Sequence, residues 1–259
     1  MPRVSVLVPV YRTDPGILRE TVASVLAQTF ADFELILLDD CPDDPRESVV
    51  REFSDDRIVY AKNGRNLGIT PSRNRLMEMA KGGYFAVFDH DDVCRPDRLE
   101  KEVAYLDAHP ECAAVSSFVR VVPSGEIAER PVEDGEIRVQ MMGGCVMYHS
   151  ACMLRASALK ERGIVYEEAF SPSEDYRLFL RLMEFGRLHT IPEPLIDYRM
   201  HGNNTTVAQF GRMWDTAERA HAEAKKRFPE LWAEFRRRGG KAPARRQGLF
   251  GRIRRGFGS

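Results

Sequence analysis

Three aspartates lie within four residues in the sequence Asp-His-Asp-Asp at 89–92. Carboxylates packed this closely repel one another and raise each other's pKa, so the cluster needs a chemical reason. A divalent cation supplies one, since Mg²⁺ and Mn²⁺ prefer hard oxygen ligands and keep positions open for water and phosphate oxygens. The alternative is a solvated acidic turn that caps a helix beginning at Pro96.

An apolar run precedes this cluster and a second acidic pair, Asp39–Asp40. The runs at 4–10, 34–38 and 84–88 predict strands covered on both faces. The second run leads into Asp39 and the third into Asp89. Because open parallel sheets bind ligands beyond the carboxyl ends of their strands, we expect both clusters on the binding edge. This location favours a metal site at 89–92 over an acidic turn.

Helices are predicted between the strands. Asp14 can cap a helix that begins at Pro15, and Thr70 with Pro71 gives the same signal for a helix that ends near Gly82. A helix near 45–53 and a strand near 57–61 lie between them. The second half is predicted to contain helices at 96–107, 156–162, 174–185 and 206–227, with strands at 113–122 and 195–199. This alternation predicts an α/β fold with a mostly parallel sheet flanked by helices and a more mixed second half.

The composition is that of a globular protein: the 259 residues are 43% hydrophobic, enough for one catalytic domain over 1–235. Five cysteines without a CxxC pair predict neither a disulfide framework nor a structural zinc site. No apolar run has signal-peptide character or membrane-spanning length, so we expect a cytoplasmic protein.

The charge is unevenly distributed. Residues 236–259 contain nine of the 38 Lys and Arg and no acid, so the rest of the chain carries a net charge of about −10. An acidic body argues against nucleic acid as a partner. The basic tail, rich in Pro, Gly and Arg, is predicted to be loosely ordered, and it suits peripheral contact with an anionic membrane, with disorder as an equal alternative.

Six segments occur in the order found in one known family: SVLVPVYR (5–12), Asp39–Asp40, NLGITPSRNRL (66–76), DHDDVCRPDRLEKEVAYLDAHP (89–110), SEDYRLFLRL (173–182) and YRMHGNNTT (198–206). Together they resemble the family-two glycosyltransferases of bacterial cell-surface polysaccharide synthesis. The resemblance implies a Rossmann-like glycosyltransferase A-type fold, a nucleotide-sugar donor and an inverting displacement at the anomeric carbon. Residues 1–110 would form the nucleotide-binding half and 111–235 the acceptor-binding half.

The resemblance also implies a set of donor contacts. Asp40 would accept the imide N–H of uracil if the donor is a UDP-sugar, Arg73 would offset pyrophosphate charge, and Asp89 would face the ribose. The full implied donor set is Pro9, Tyr11, Asp39, Asp40, Asn66, Gly68, Arg73, Asn74 and Asp89. One departure from the family pattern is Cys41-Pro-Asp-Asp44, where a Gly-Ser-type turn is more usual. This departure weakens the inference about which nucleobase the donor carries.

The remaining implied roles concern the metal and the catalytic base. Asp91 would be the main ligand of Mn²⁺ or Mg²⁺, with Asp92 and His201 as further ligands. Glu174–Asp175 would supply the base, with Asp175 removing the acceptor proton. The pair can also be explained as acids favoured in the first turn of a helix; both explanations can hold together, and the combined motif favours the catalytic one.

The function predicted is transfer of a sugar from a UDP-sugar to a hydroxyl of a saccharide or lipid-linked saccharide, in the synthesis of cell-surface polysaccharide or glycolipid. One alternative is a non-catalytic protein that binds nucleotide-sugars or glycans, against which intact Asp91 and Asp175 argue. Another is a sugar nucleotidyltransferase, whose glycine-rich loop is absent after the first strand. The segment 143–155 matches the family's acceptor region only loosely, which leaves His149 and Ser150 as weak acceptor contacts.

Overall fold

The computed structural model describes residues 1–200 and 209–241. Within these residues, nine strands form one sheet, and their bounds are β1 (Val4–Val10), β2 (Phe33–Asp39), β3 (Ile58–Lys62), β4 (Tyr84–Val87), β5 (Val93–Cys94), β6 (Cys112–Val122), β7 (Ile127–Ala128), β8 (Met153–Arg155) and β9 (Arg187–Arg199). The strand order is β3-β2-β1-β4-β8-β6-β9-β5, and β7 pairs with β6.

The helices of the same residues are α1 (Pro15–Leu26), α2 (Glu47–Val50), α3 (Ile69–Met79), α4 (Arg98–Ala108), α5 (Asp134–Gln140), α6 (Ala156–Lys160), α7 (Glu174–Leu182), α8 (Phe210–Arg227) and α9 (Pro229–Arg237). Short 3-10 turns lie at Met141–Gly143, His149–Ala151 and Glu168–Phe170. In the part of the chain that the structure covers, no helix is both long and apolar enough to cross a membrane.

The sheet is mostly parallel, as predicted. Strands β3, β2, β1 and β4 run in parallel in the first half, and β6 runs parallel to β9 in the second. The short strand β8 runs antiparallel between β4 and β6, and it therefore joins the two halves into one sheet. The mixed character predicted for the second half is confirmed.

Apolar side chains cover both faces of the sheet, which explains the near-continuous apolar strands. Along β1, Val4, Val6 and Val8 pack into the cluster that includes α1 and α4, whereas Leu7 packs into the cluster that includes α3 and α7. Successive side chains of a strand point to opposite faces, so a strand between two helical layers is mostly apolar.

Helices α1 and α3 begin in different ways. The Asp14 carboxylate accepts hydrogen bonds from Gly16 N (2.8 Å) and Ile17 N (3.1 Å), so the predicted cap of α1 is confirmed. The predicted start of α3 at Thr70 and Pro71 is wrong, because the helix begins at Ile69 after Gly68. Thr70 is buried and its hydroxyl has no hydrogen-bond partner, so it caps nothing.

Other observed boundaries differ from the predicted ones because pairing between distant strands determines them. The helix predicted from Pro96 begins at Arg98, since Val93–Cys94 pairs with β9. The strand predicted at 195–199 extends from Arg187, because β6 pairs with it over most of its length. The predicted helix start at Thr206 lies outside the described residues, within which α8 begins at Phe210.

A buried ion pair lies behind the end of β4. The Arg98 guanidinium contacts the Glu102 carboxylate at 3.2 Å, and both side chains are almost fully buried. Arg98 also donates to the carbonyl oxygens of Val87 (2.9 Å) and Cys152 (3.3 Å). Burial raises the pKa of Glu102 to about 7, against the opposing effect of Arg98. The pair thus fixes α4 to the end of β4 and to the segment that leads into β8.

Candidate functional site

Three neighbouring parallel strands end at one edge of the sheet with polar residues. Strand β2 ends at Asp39 and is followed by Asp40, β1 is followed by Tyr11, and Asp89 lies two residues beyond β4. Because β1 lies between β2 and β4, the two acidic clusters lie on either side of it. The sheet therefore brings together the residues that the sequence placed on the binding edge.

Asp39 is fully buried and its carboxylate is bonded to its own chain. One oxygen accepts from Cys41 N (2.9 Å), and the other accepts from Arg46 N (2.6 Å) and the Tyr60 hydroxyl (2.8 Å). These bonds hold the turn after β2 against β3. Asp39 is thus placed as a support of the site.

Asp40 holds the loop that leads into α3. Its carboxylate accepts from Asn63 Nδ2 (2.7 Å), Leu67 N (2.8 Å) and Gly68 N (2.8 Å). Gly68 N also donates to Asn66 Oδ1 (2.9 Å), and Gly68 has φ 87°, a conformation that favours glycine. The loop predicted to bind the nucleotide is therefore ordered by Asp40, with most of that carboxylate's hydrogen-bonding capacity already used.

Beyond β1, the chain offers an aromatic surface at the same edge. Pro9 is buried within β1, whereas Tyr11 is 41% exposed. The Arg12 guanidinium lies 5.4 Å from the centre of the Tyr11 ring, and Arg12 has φ 49°. An exposed ring at the end of a central strand can stack against a planar base.

Arg73 connects three motifs that are far apart in sequence. Its guanidinium donates to Glu174 Oε1 at 2.6 Å and to Asp89 Oδ1 at 3.3 Å. Glu174 is only 2% exposed, and its second oxygen has no hydrogen-bond partner. Helix α3, the end of β4 and the start of α7 therefore meet at one partly buried cation.

Asn74 is bonded to a segment that the sequence did not single out. Its amide donates to the Tyr166 carbonyl and accepts from Tyr166 N, each at 2.9 Å. The Tyr166 hydroxyl lies 2.8 Å from His149 Nε2, and His149 is buried. Asn74 thus fixes a loop beside the site. Sequence reasoning missed Tyr166 because the contact spans 92 residues and carries no local signal.

Asp92 differs from its neighbours in the cluster. It is 1% exposed, and one carboxylate oxygen accepts from Arg199 N at 2.9 Å. Burial raises its pKa well above the ordinary range, and Asp89 and Asp91 add to the increase. Its other oxygen, Oδ2, has no hydrogen-bond partner. Arg199 also donates to the Asp91 carbonyl at 2.9 Å, so the end of β9 is fixed beside the cluster.

The donor set suits a cation that arrives with phosphate oxygens. Within residues 1–200 and 209–241, no three His, Cys, Asp or Glu side chains are grouped as a metal site, and His201 lies outside those residues. Mg²⁺ is commonly bound by one or two carboxylates together with substrate phosphates and water. Asp91 and the unpartnered Oδ2 of Asp92 provide hard oxygen donors of that kind.

Asp175 lies in the first turn of α7, directly after the Glu174 that Arg73 binds. Burial raises its pKa from 3.8 to about 6, Glu174 and Asp89 add to the increase, and Arg73 opposes it. One of its oxygens accepts from Tyr176 N (2.7 Å). Ser173 occupies the N-cap position of α7, but its hydroxyl donates to the Met213 carbonyl and makes no cap bond. Asp175 is therefore a carboxylate that can exchange a proton near neutral pH.

Comparison with protein families gives one match over most of the described chain. The sequence profile of Glycosyl transferase family 2 matches residues 5–163. An uncharacterized glycosyltransferase of Haemophilus influenzae is 28% identical over 236 residues, which cover 86% of this chain and 73% of the relative. WfaP of Escherichia coli, a UDP-Glc:alpha-D-GlcNAc-diphosphoundecaprenol beta-1,3-glucosyltransferase, is 26% identical over 216 residues, which cover 81% of this chain and 82% of the relative.

Solved structures confirm the fold. S. aureus TarS (residues 1–349) in complex with UDP-GlcNAc superposes with a TM-score of 0.73 at 17% identity, covering 90% of this chain and 71% of TarS. The mannosyltransferase PcManGT from Pyrobaculum calidifontis, in complex with GDP-Man and Mn²⁺, gives a TM-score of 0.65 at 17% identity, covering 96% and 68%. The α/β fold is therefore of the glycosyltransferase A type, as predicted.

Proposed function

Because this chain belongs to glycosyl transferase family 2 and is a glycosyltransferase, we propose that it moves a sugar from a nucleotide diphosphate donor to an acceptor hydroxyl with inversion. The observation that carries the proposal is the contact of Arg73 with both Asp89 and Glu174. This contact supports a single site that contains the strand-end aspartates and the Glu174–Asp175 pair. A displacement reaction needs both a group that stabilises the departing phosphate and a base for the incoming hydroxyl.

The donor is proposed to be a UDP-sugar. WfaP takes UDP-Glc by its name, and TarS was solved with UDP-GlcNAc. The ordered loop at 66–68 and the exposed Tyr11 ring would enclose the base, and the one unused acceptor position on Asp40 Oδ2 would meet the imide N–H of uracil. Asp89 would contact the ribose, and Arg73 would offset the diphosphate charge.

A divalent cation, Mn²⁺ or Mg²⁺, would stabilise the negative charge of the departing nucleoside diphosphate when it is bound. Asp91 would be its main protein ligand, with Asp92 Oδ2 and His201 as further candidates. The Mn²⁺ in the PcManGT complex supports the assignment by likeness of fold. The hydrogen bond from Arg199 N would keep the Asp92 carboxylate oriented toward the cation.

Asp175 would act as the base. The acceptor oxygen attacks the anomeric carbon, the bond from that carbon to the phosphate oxygen breaks, and the acceptor proton moves to the Asp175 carboxylate. A carboxyl with a pKa of about 6 is ionised at neutral pH and yet basic enough to take a proton in the transition state. Glu174 would hold Arg73 in place and raise the basicity of Asp175.

The acceptor is proposed to be a saccharide or lipid-linked saccharide in the synthesis of a surface polysaccharide or glycolipid. WfaP, whose named acceptor carries a diphosphoundecaprenol, supports the lipid-linked form. We place the enzyme in the cytoplasm, with peripheral membrane contact through its basic tail. Residues 242–259 of that tail lie outside the described residues.

Substitution of Asp175 tests this proposal directly. Asp175→Asn keeps the shape of the side chain but removes the base, so transfer should fall by about 10²-fold or more while UDP binding with Mn²⁺ is kept. The measurements are a transfer assay and calorimetry of UDP binding. The exposed Glu168→Gln serves as the matched control and should change neither. Full transfer by Asp175→Asn would refute the base assignment.

A further inference from the structure

Arg130, beside the site, has no counter-charge in the part of the chain that the structure describes. Arg130 lies between β7 and α5, half-buried, and its guanidinium is 4.1 Å from the centre of the Tyr148 ring. Its Nε is buried without a hydrogen-bond partner. The Nη1 group of Arg130 donates to the carbonyl of the preceding residue, Glu129, at 3.4 Å. Among the described residues, no carboxylate lies within ion-pair distance of it.

Other half-buried arginines of the described chain are well satisfied. Arg177 contacts both Glu167 and Glu223, and Arg155 donates to several carbonyl oxygens. Removing a cation from water is costly unless an opposite charge or several acceptors replace the water. Arg130 has neither among residues 1–200 and 209–241, so we infer that its partner is a ligand.

Ring contacts connect Arg130 to the candidate site. The Tyr148 ring, beside which the Arg130 guanidinium lies, is 6.5 Å from the Tyr198 ring. The residue after Tyr198, Arg199, donates its backbone N–H to Asp92 at 2.9 Å. Arg130 thus borders the site from the second half of the chain.

We propose that Arg130 binds a phosphate group of the acceptor, as in a lipid-linked saccharide diphosphate. This inference rests on the proposed function, in which the donor diphosphate is held by Arg73 and the cation at Asp91. A guanidinium stacked on an aromatic ring keeps its edge free, and that edge matches two phosphate oxygens. The Tyr148 ring would hold the Arg130 guanidinium in place, and its terminal Nη groups would meet the phosphate oxygens.

The test uses the full-length protein with UDP and Mn²⁺ at saturation, so that the donor phosphate site is filled. Geranyl diphosphate is then titrated calorimetrically, with geraniol as the uncharged probe. Arg130→Gln should bind geranyl diphosphate about tenfold more weakly or worse, because a charge-assisted contact is lost, and Arg130→Lys should be intermediate. Arg162→Gln is the matched control, since Arg162 also lies over a ring, that of Phe185, and is exposed.

The outcomes separate this inference from the proposed function. Equal affinity of the wild type and Arg130→Gln for geranyl diphosphate would overturn it, as would equal binding of geraniol and geranyl diphosphate by the wild type. A loss of UDP affinity in Arg130→Gln would assign Arg130 to the donor site and overturn the acceptor assignment. Failure of the wild type to bind UDP with Mn²⁺ would refute the proposed donor function instead.

Discussion

The ends of β2 and β4 carry similar acidic clusters with different surroundings. At β2, Asp39 and Asp40 accept six hydrogen bonds between them, all from their own chain. At β4, Asp89 accepts a hydrogen bond from Arg73 of α3, and Asp92 retains a buried oxygen without a partner. The first cluster orders the loops around it. The second retains an unused acceptor that could serve a ligand.

This difference shows that strand-end acids need not share a role. A carboxylate that accepts several N–H and O–H bonds is stabilised in its charged form and becomes a fixed part of the chain. Carboxylates that face one another remain costly until a cation arrives. The β2 cluster would thus prepare the nucleotide loop, and the β4 cluster would bind the metal.

The largest expected effect comes from Asp91→Asn. Loss of the main metal ligand should abolish the Mn²⁺ dependence of UDP binding and lower transfer by about 10²-fold or more, because the departing diphosphate loses its stabilising charge. Calorimetry with and without Mn²⁺ measures this. Asp39→Asn, at the other strand end, should keep the Mn²⁺ dependence. If both variants lost it equally, the contrast between the two clusters would fail.

The pH dependence of transfer sharpens the comparison. With a pKa of about 6 for Asp175, the rate should fall about tenfold per pH unit below 6 as the base is protonated. Asp89→Asn removes a negative charge that raises this pKa, so the acid limb should move to lower pH. Asp39→Asn should leave the limb in place. The measurement is a pH–rate profile of each variant. An acid limb at the wild-type pH in Asp89→Asn would contradict the predicted effect of Asp89 on the pKa of Asp175.

The same pKa predicts a stability effect of opposite sense to that of an ion-paired carboxylate. The folded pKa of about 6 lies above the ordinary value of 3.8, so the folded state binds the proton more tightly. The contribution of Asp175 to the free energy of unfolding should therefore decrease as pH rises from about 4 to 6. Asp175→Asn should remove that decrease, and urea unfolding at pH 4 and 7 measures it. The prediction would be contradicted if Asp175→Asn lowered the free energy of unfolding, relative to the wild type, by more at pH 7 than at pH 4.

Asp40→Asn should lower stability as well as donor affinity. An amide in place of the carboxylate turns an NH₂ group toward a backbone N–H, so the free energy of unfolding should fall by about 1–3 kcal/mol. Hydrogen exchange at Leu67 and Gly68 should become faster. Unchanged exchange there would show that Asp40 does not order the loop.

The smallest effect is expected for Gly68→Ala. The φ of 87° is strained for alanine, although a Cβ there would meet no neighbour within 4 Å, so the free energy of unfolding should fall by about 1 kcal/mol. Donor affinity should weaken modestly with it, as measured by UDP titration. Gly64→Ala, in the same loop but with equally open space and no positive φ, is the matched control.

The sequence predicted the strand ends well because buried strands and helix caps are local signals. The cap at Asp14 and the acids after β2 and β4 were read from neighbouring residues. The roles of Asp39 and Asn74 depended on partners such as Tyr60 and Tyr166, which no local pattern identifies. The predicted start of α3 was wrong for the same reason, since the preceding loop is held by Asp40, which follows β2.

The buried Arg98–Glu102 pair has a consequence for how this sequence can change over generations. Loss of either partner alone leaves a buried charge at the end of β4, a change that typically costs 3–5 kcal/mol. Joint replacement by apolar residues avoids that cost but removes the donor to the Val87 carbonyl. Substitutions at these two positions should therefore arise together, and a library randomised at both should return far more paired than single survivors.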